Sequence, residues 1–344
     1  MLTKDQEDYA LDLHRKAVVV DFHCDAVLET LPDSAFVIGA PVKRTLDVRS
    51  SEGHVDVPRL LEGGVDCQVF SHFVEPIYNP VAPQRMLQVL GYSLTEIEKN
   101  KDRLDIATSA TQIMKNHGEK ISIMIGFEGG EAIAQDLRLL RVYYRLGLRR
   151  LTLCWNNRNF IADGVRWQRS KGGLTEFGAS VVEECNRLGI VVDVSHMTDP
   201  VFWDVLAVSK EPVIASHSNS RVLCPSSRNL SDEMIKALVE KDGIIGVNYA
   251  SMFLRDPKEV RAGKIPTVGT VVDHIDHMVE VAGTVRNIGL GSDFDGVPSM
   301  AQGLEDFSRL PNLTKELVVR GYSQKDVEGI LGHNFLRIIE QVCH

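Results

Sequence analysis

A histidine and an aspartate stand two residues apart where an apolar run close to the amino terminus ends. The stretch VVVDFHCDAV carries them as His23 and Asp25. Side chains two residues apart on a strand point to the same face, so the spacing predicts a two-ligand clamp for one metal ion. Imidazole with carboxylate suits Zn²⁺, and Mn²⁺, Co²⁺ and Fe²⁺ accept the same ligand types. The same alternation turns Cys24 away from the metal and leaves Asp21, one step deeper, to support the ligands.

Three more residues of the ligand types follow other apolar runs, which matters because an isolated His-x-Asp pair is more often an ordinary hydrogen-bonded pair. Glu128 ends SIMIGFE, His196 follows IVVDVS, and His217 ends PVIASH. We predict that His196 and His217 form a second metal pair and that Glu128 lies between the pairs, with one carboxylate oxygen for each metal. Two metals held about 3.5 Å apart share a water, lower its pKa and polarise a substrate carbonyl. The pattern therefore predicts a hydrolase.

Eight apolar runs rich in valine and isoleucine alternate with longer stretches of helical period. Eight such units in 344 residues predict an α/β fold of the (β/α)8 TIM barrel type, as in metal-dependent hydrolases. The active site of such a barrel lies at the carboxyl ends of its strands, where the ligand-type residues fall. The predicted strands cover residues 17–23, 65–71, 122–128, 148–154, 190–195, 212–217, 243–249 and 287–292.

We expect one domain over residues 1–344, because no low-complexity tract or Pro/Ser-rich linker divides the chain. The segment at about 26–62 is too long and too polar for one crossover, so it predicts a lid-like insertion over the end of the first strand. The segment at about 300–344 predicts closing helices.

The other histidines carry weaker signals. His72 follows the second predicted strand and is a candidate substrate contact on the functional rim. His274 and His277 stand three residues apart on a predicted helix that leads into the eighth strand. They should therefore lie at the opposite rim, and we expect a structural role for both. His54, at a predicted helix start before the second strand, is also expected to be structural.

Composition excludes several classes of partner. The formal net charge of -9 argues against nucleic acid, whose binding requires a surplus of lysine and arginine. No stretch approaches the roughly 20 apolar residues that span a bilayer, and the amino terminus lacks the apolar run of a signal peptide. The cysteines form no C-x-x-C pair, which predicts reduced, buried residues. We expect a cytoplasmic protein that acts on a small molecule, with no membrane or nucleic-acid partner.

Five motifs occur in one order along the chain: DFHCD, GFEGGEAI, VDVSHMT, ASHSNSRVLCPSSRNL and GLGSDFDGVP. With them the sequence resembles the renal (membrane) dipeptidase family of binuclear zinc peptidases, peptidase family M19, over nearly its whole length. The resemblance implies that the first zinc ion is held by His23 and Asp25 and the second by His196 and His217. It implies that Glu128 bridges the two ions, and it also implies a homodimer.

The resemblance assigns further site residues. Arg228, in SSRNL, matches the arginine that grips the terminal carboxylate of the substrate, a role suited to a bidentate guanidinium. Asp293, in SDFDG, matches the residue that handles the proton and meets the substrate amino group. Asp293 and Glu128 are therefore the predicted catalytic residues.

The chain departs from mammalian members of the family after the fourth predicted strand. The segment LTLCWNNRN has Trp155 and Asn156 where those enzymes carry a histidine associated with substrate contact. Trp155 and Asn156 are therefore predicted to bind substrate, and either Asn156 or Asn157 could supply the missing polar contact. Mammalian relatives are secreted and lipid-anchored, whereas this chain shows neither signal, so we expect a soluble bacterial-type member.

We expect a zinc-dependent, membrane-dipeptidase-like hydrolase. The resemblance implies hydrolysis of dipeptides, with a D-residue tolerated at the C-terminal position, by a hydroxide that bridges two Zn²⁺ ions. Two alternatives stay open. One is hydrolysis of another cyclic or acyl amide such as a β-lactam, and the other is a catalytically weak member that binds a peptide-like ligand.

Overall fold

Eight parallel strands close into a barrel that carries the predicted ligands at one rim. The structure, a computed structural model, describes residues 3–34 and 44–343. In those ranges nine strands are present: β1 (Val20–Cys24), β2 (Cys67–His72), β3 (Leu104–Ile106), β4 (Ile121–Glu128), β5 (Leu148–Thr152), β6 (Val191–Asp193), β7 (Val213–Ala215), β8 (Ile244–Val247) and β9 (Ile288–Leu290).

Strand pairing confirms the predicted (β/α)8 barrel. The barrel strands are hydrogen-bonded in the order β2-β1-β9-β8-β7-β6-β5-β4, and β2 also pairs with β4, which closes the ring. All eight predicted strands are present, with ends that differ by a few residues. The sequence prediction missed β3, which pairs with the first residues of β4. Three residues are too few to show a hydrophobic period.

Helices surround the barrel and cover one of its ends. Along the described residues they are α1 (Lys4–Lys16), α2 (Ala26–Thr30), α3 (Val57–Glu62), α4 (Ala82–Lys99), α5 (Ala110–Asn116), α6 (Leu137–Arg145), α7 (Glu176–Leu188), α8 (Asp199–Val208), α9 (Asp232–Glu240), α10 (Ser251–Leu254), α11 (Pro257–Arg261), α12 (Val268–Ala282), α13 (Pro311–Val319), α14 (Gln324–Glu328) and α15 (Asn334–Val342). None of the helices in this part of the chain is both long and apolar enough to cross a membrane. The homodimer and the cytoplasmic location stay predictions.

The strands are buried on both faces, which explains their nearly continuous apolar sequences. Strand β4, ISIMIGFE, is buried at every position. One core cluster fills the layer between the strands and the surrounding helices. A second cluster lies where the strands begin, and there Phe335 of α15 stacks on Phe22 of β1 with ring centroids 3.7 Å apart. Helix α15 therefore closes the end of the barrel opposite to the predicted ligands.

The segment predicted as a lid contains α2 and α3, and its residues 35–43 lie outside the described residues, so the lid stays a prediction. Arg44 ties the end of this segment to the loop after β9, because its Nη2 lies 2.5 Å from Asp295 Oδ2. Both side chains of this ion pair are buried, at 2% and 0% exposure. The His54 N–H also donates to Asp295 Oδ1, and His54 Nδ1 accepts from the Asp295 N–H. These bonds fix the loop that carries Asp293.

A buried ion pair occupies the barrel interior next to the predicted ligands. Arg150 Nη1 lies 3.0 Å from Asp193 Oδ2, and neither side chain is exposed. The hydroxyls of Thr152 and Ser216 also donate to Asp193 Oδ2, each at 2.6 Å. Burial alone would raise the pKa of Asp193, but Arg150 and these hydrogen bonds outweigh burial and lower the pKa to about 2. The carboxylate therefore stays ionised inside the barrel.

Gly126 of β4 makes room for this arginine. A Cβ atom at position 126 would lie 2.6 Å from Arg150 Nη2 and 2.7 Å from Arg150 Nε. Glycine inside a strand costs conformational entropy and often marks a close approach of another group. Here the group is the Arg150 guanidinium.

We expect Arg44→Met to lower the free energy of unfolding by about 3 to 5 kcal/mol, because it leaves Asp295 as an uncompensated buried charge. Urea denaturation measures the change. Arg49→Met is the matched control, since Arg49 pairs with Glu62 and both side chains are about half exposed. We expect its denaturation midpoint to stay close to that of the wild type. Equal midpoints for the two variants would contradict the structural role of Arg44.

We expect Gly126→Ala to lower the free energy of unfolding by about 1 to 3 kcal/mol, because the added methyl group displaces the Arg150 guanidinium. Gly91→Ala is the matched control, since a Cβ at Gly91 of α4 meets no atom within 4 Å. The control should raise the free energy of unfolding by about 0.5 to 1 kcal/mol. A Gly126→Ala protein as stable as the wild type would show that Arg150 has room to move.

Candidate active site

The structure brings the five predicted ligands together at the carboxyl ends of the barrel strands. His23 lies in β1, and Asp25 is the first residue after that strand. Glu128 ends β4, and His196 and His217 follow β6 and β7. Within the predicted pairs, His23 Nε2 lies 3.2 Å from Asp25 Oδ2, and the His196 and His217 Nε2 atoms lie 2.9 Å apart. Glu128 Oε1 lies 2.8 Å from His196 Nε2 and 3.7 Å from the Nε2 atoms of both other histidines. Glu128 therefore contacts both pairs.

Ligand atoms from these residues form overlapping groups that are small enough to hold a cation. One group contains Glu128 with His23 and Asp25, and another contains Glu128 with His196 and His217. Within each group the ligand atoms lie within 4.8 Å of one another, and every residue is buried. A third group joins His23 and His217 to Asp293, whose Oδ1 lies 3.8 Å from His23 Nε2.

Hydrogen bonds at the outer ring nitrogens orient the three histidines. His196 Nδ1 lies 2.8 Å from Asn156 Oδ1, an acceptor, so this nitrogen carries the proton and Nε2 presents a lone pair to the centre. Serine hydroxyls hold the other two rings, at 3.0 Å from His23 Nδ1 and 2.7 Å from His217 Nδ1. Among the described residues, the buried Asp25 Oδ1 has no hydrogen-bond partner. This donor set fits cations held between the two pairs.

The electrostatics of the site favour the same interpretation. Burial lowers the pKa of His23, and it lowers the pKa values of His196 and His217 well below their ordinary range. All three imidazoles are therefore neutral at pH 7, the form that binds metals. Burial, followed by the charge of Glu128, raises the pKa of Asp25 well above its ordinary value. A cation between these carboxylates would offset their repulsion.

The buried pair Arg150–Asp193 reaches both halves of the site. Arg150 Nη2 donates to Ser71 Oγ at 2.5 Å, and that hydroxyl contacts His23 Nδ1. Asp193 accepts from Ser216, whose hydroxyl contacts His217 Nδ1. Sequence reasoning missed these supporting residues. The signal in LRRLTLC and IVVDVS was a charged residue at an inward-facing position inside an otherwise apolar strand.

Two residues of the site have left-handed backbone conformations, with φ values of 70° at His196 and 62° at Asp293. Such conformations are uncommon outside glycine and persist where the surroundings hold them. The Val165 N–H donates to the His196 carbonyl at 2.8 Å, and the Asp293 N–H donates to the His23 carbonyl at 3.2 Å. Each residue is therefore held by a neighbouring segment as well as by its side chain.

Asp293 combines burial with an orienting contact. Burial raises the pKa of Asp293 to about 7, with His23 opposing the rise and Asp25 and Glu128 adding to it. Asn248, which sequence reasoning also missed, donates from Nδ2 to Asp293 Oδ2 at 2.8 Å. A carboxyl group with a pKa near neutrality can both accept and donate a proton.

A cavity of about 480 Å³ opens over these residues. Asp25, Glu128, His196 and Asp293 line it, and so do the predicted substrate-binding residues Arg228, Trp155 and Asn156. Arg228 is buried, and its Nε has no hydrogen-bond partner among the described residues. The buried Arg228 guanidinium and the candidate metal ligands therefore line the same cavity.

Other polar residues named from the sequence lie elsewhere. Asn157 and His72 are not among the lining residues of this cavity, and His72 is buried with its Nδ1 3.1 Å from the Phe70 and Gly126 carbonyls. His274 accepts from the Ser220 N–H, and its Nε2 lies 3.0 Å from the Leu254 carbonyl. His277 contacts Asp232 at 2.9 Å. None of these histidines lines the cavity. The partners of His274 follow β7 and β8, on the carboxyl side of the strands, so its predicted position at the opposite rim is wrong.

Relatives with similar sequences or structures carry dipeptidase or metallopeptidase names. Dipeptidase 3 of Homo sapiens is 33% identical over 346 residues, which cover 99% of this chain and 68% of that protein. An uncharacterized dipeptidase of Schizosaccharomyces pombe is 32% identical over 335 residues, which cover 91% of this chain and 79% of that protein. A metallopeptidase from Rhodobacter sphaeroides, solved with a phosphinate mimic of the dipeptide L-Ala-D-Ala, has a TM-score of 0.82 and 29% identity. That match covers 95% of this chain and 99% of the other.

The family comparison covers nearly the whole chain. Residues 7–344 match the family described as membrane dipeptidase, peptidase family M19. The match includes every strand of the barrel and all five candidate ligands. The chain therefore belongs to the membrane dipeptidase family M19 and is a hydrolase of the dipeptidase class.

Proposed function

We propose that this protein hydrolyses dipeptides, including those with a D-residue at the C-terminal position, with two zinc ions. His23 and Asp25 would hold one ion, His196 and His217 the other, and Glu128 would bridge them. The observation that carries the proposal is the position of Glu128 Oε1, within 3.7 Å of the Nε2 atoms of all three histidines, on a cavity that Arg228 also lines. The L-Ala-D-Ala mimic bound to the Rhodobacter sphaeroides relative supports the stereochemistry.

When bound, the two ions would supply an activated water and polarise the scissile carbonyl. Asp293 accepts a proton from the attacking water and donates it to the departing amine. Asn248 fixes the Asp293 carboxylate for both transfers through the 2.8 Å bond to Oδ2.

Arg228 is the proposed anchor for the C-terminal carboxylate of the substrate. Its buried guanidinium has an Nε without a described partner, and Phe253 covers it with a ring centroid 5.4 Å from Cζ. A carboxylate would satisfy this nitrogen and offset the cost of the buried charge. Because the anchor and the candidate ligands line one cavity, we expect dipeptides to be hydrolysed faster than longer peptides, whose terminal carboxylate lies farther from the scissile bond.

A dipeptide panel tests the function. L-Ala-D-Ala, L-Ala-L-Ala and N-acetyl-L-Ala-D-Ala are assayed with protein stripped of metal and then reloaded with Zn²⁺, Co²⁺ or Mn²⁺. We expect hydrolysis of the free dipeptides after reloading, little hydrolysis before it, and weak turnover of the acetylated compound. Full activity in the stripped protein would refute the metal mechanism, and a preference for the acetylated amide would favour another amide substrate.

We expect His196→Ala to lower kcat by about 10²- to 10³-fold and to reduce the zinc content by about one ion per chain, because it removes one proposed ligand. Turnover and elemental analysis measure these changes. His277→Ala is the matched control, because His277 lies outside the cavity and contacts Asp232. It should keep both ions and near-normal turnover. An unchanged zinc content in the His196→Ala protein would remove His196 from the ligand set.

We expect Asn156→Ala to weaken binding of the second metal ion by about 10-fold, because the variant releases the His196 ring from its 2.8 Å bond. Competition with a chelator measures the affinity, and the absorption spectrum of the Co²⁺ form reports the ligand geometry. Asn157→Ala is the control at the adjacent position, which does not line the cavity. If both variants bind metal as tightly as the wild type, the bond to His196 does not position this ligand.

A further inference from the structure

A second arginine lines the cavity and is not used by the proposed chemistry. Arg166 lies on the short helical segment Val165–Ser170. Val165 and Arg166 of this segment line the cavity together with Trp155 and Asn156. Its guanidinium carbon lies 5.2 Å from the centroid of the Trp155 ring. The cavity is therefore bordered by two guanidinium groups, whereas a dipeptide with neutral side chains brings one carboxylate.

Hydrogen bonds fix the backbone at Arg166, although the side chain of this residue is exposed. Its backbone N–H donates to the Asn156 carbonyl at 3.0 Å, and the neighbouring Val165 N–H donates to the His196 carbonyl. Gly164, just before it, is pressed against the same segment, since a Cβ there would lie 2.0 Å from the Trp155 carbonyl oxygen. These contacts therefore fix the Arg166 backbone relative to the candidate ligand His196.

Arg166 has no acidic partner among the described residues, unlike some other arginines of the chain. Arg158 pairs with Asp163, and Arg221 pairs with Asp199 at 2.7 Å, whereas no ion pair within 3–34 and 44–343 includes Arg166. An unpaired cation held over an aromatic ring at a cavity wall is available to an anionic group of a ligand.

The other charges of the cavity define what it can accept. Its acidic lining residues are Asp25, Glu128 and Asp293, and the proposed function uses all three. A lysine or arginine side chain of a substrate therefore meets no free carboxylate on the described wall, whereas an acidic side chain meets Arg166.

We propose that Arg166 is a specificity-determining residue that selects dipeptides with an acidic side chain. Arg228 holds the terminal carboxylate, and Arg166 pairs with the second carboxylate, that of an aspartate or glutamate side chain. This inference rests on the proposed function, because it assumes that the cavity binds a dipeptide. Since Arg166 is exposed, the gain is that of a solvent-screened pair, about two- to fivefold in kcat/KM.

The test compares acidic dipeptides with their neutral amide analogues, which have nearly the same shape. Values of kcat/KM are measured for L-Ala-D-Glu against L-Ala-D-Gln, for L-Glu-D-Ala against L-Gln-D-Ala, and for L-Ala-D-Lys. We expect the acidic member of at least one pair to be favoured about two- to fivefold, and the pair that shows it identifies the subsite. L-Ala-D-Lys should be the poorest substrate, and the preference should shrink as salt is raised.

Arg166→Gln should bring the acidic-to-amide ratio to about one, and this ratio is the readout whatever the rate on L-Ala-D-Ala. Arg169→Gln is the matched control, because Arg169 lies on the same segment but does not line the cavity, and it should keep the wild-type ratio. A wild-type ratio of one in both pairs, or a preference that survives Arg166→Gln, would overturn the assignment. Failure to hydrolyse any dipeptide after metal loading would instead refute the proposed function.

Discussion

The buried ion pair between Arg150 and Asp193 is the interaction on which the geometry of the site depends. It lies in the barrel interior, and through one serine on each side it reaches the outer ring nitrogens of His23 and His217. Burying two charges is costly unless each is paired and hydrogen-bonded, and here both conditions hold for Asp193. Arg150, which supports the His23 ring, is thus paired with Asp193, which supports the His217 ring. Arg150 also requires a glycine, Gly126, in the neighbouring strand β4. The two halves of the site share one support.

The sequence was sufficient to predict the barrel, and to place the five candidate ligands at one rim, for the same physical reason. Parallel strands bury both faces, so a polar residue at a strand end stands out against an apolar run, and all strand ends of one direction meet at one rim. Alternation then separates His23 and Asp25 from Cys24, which the structure places in the apolar core. Alternation also applies to His72: Ser71 faces His23, so its successor faces the helices, a consequence that the sequence prediction did not draw.

Other features depend on relations between distant segments that a single sequence does not show. Arg150 and Asp193 lie 43 residues apart and become partners only when β5 and β6 pair side by side. The distinction between Asn156 and Asn157 depends on how one loop turns after β5, which has no hydrophobic period to follow. Asn248 is similar, since its contact with Asp293 crosses from one strand end to the next. Side chains that hold other side chains in place carry little local signal of their own.

The loop after β5 both lines the cavity and holds His196 in place. Its side chains face the space where a ligand would sit, and the same few residues grip His196 by its ring and by its carbonyl. A substitution in this loop that admits a new substrate would therefore also disturb the hydrogen bonds that hold His196. Divergence of this loop among relatives should proceed through paired substitutions, in which a second change restores what the first one loosened.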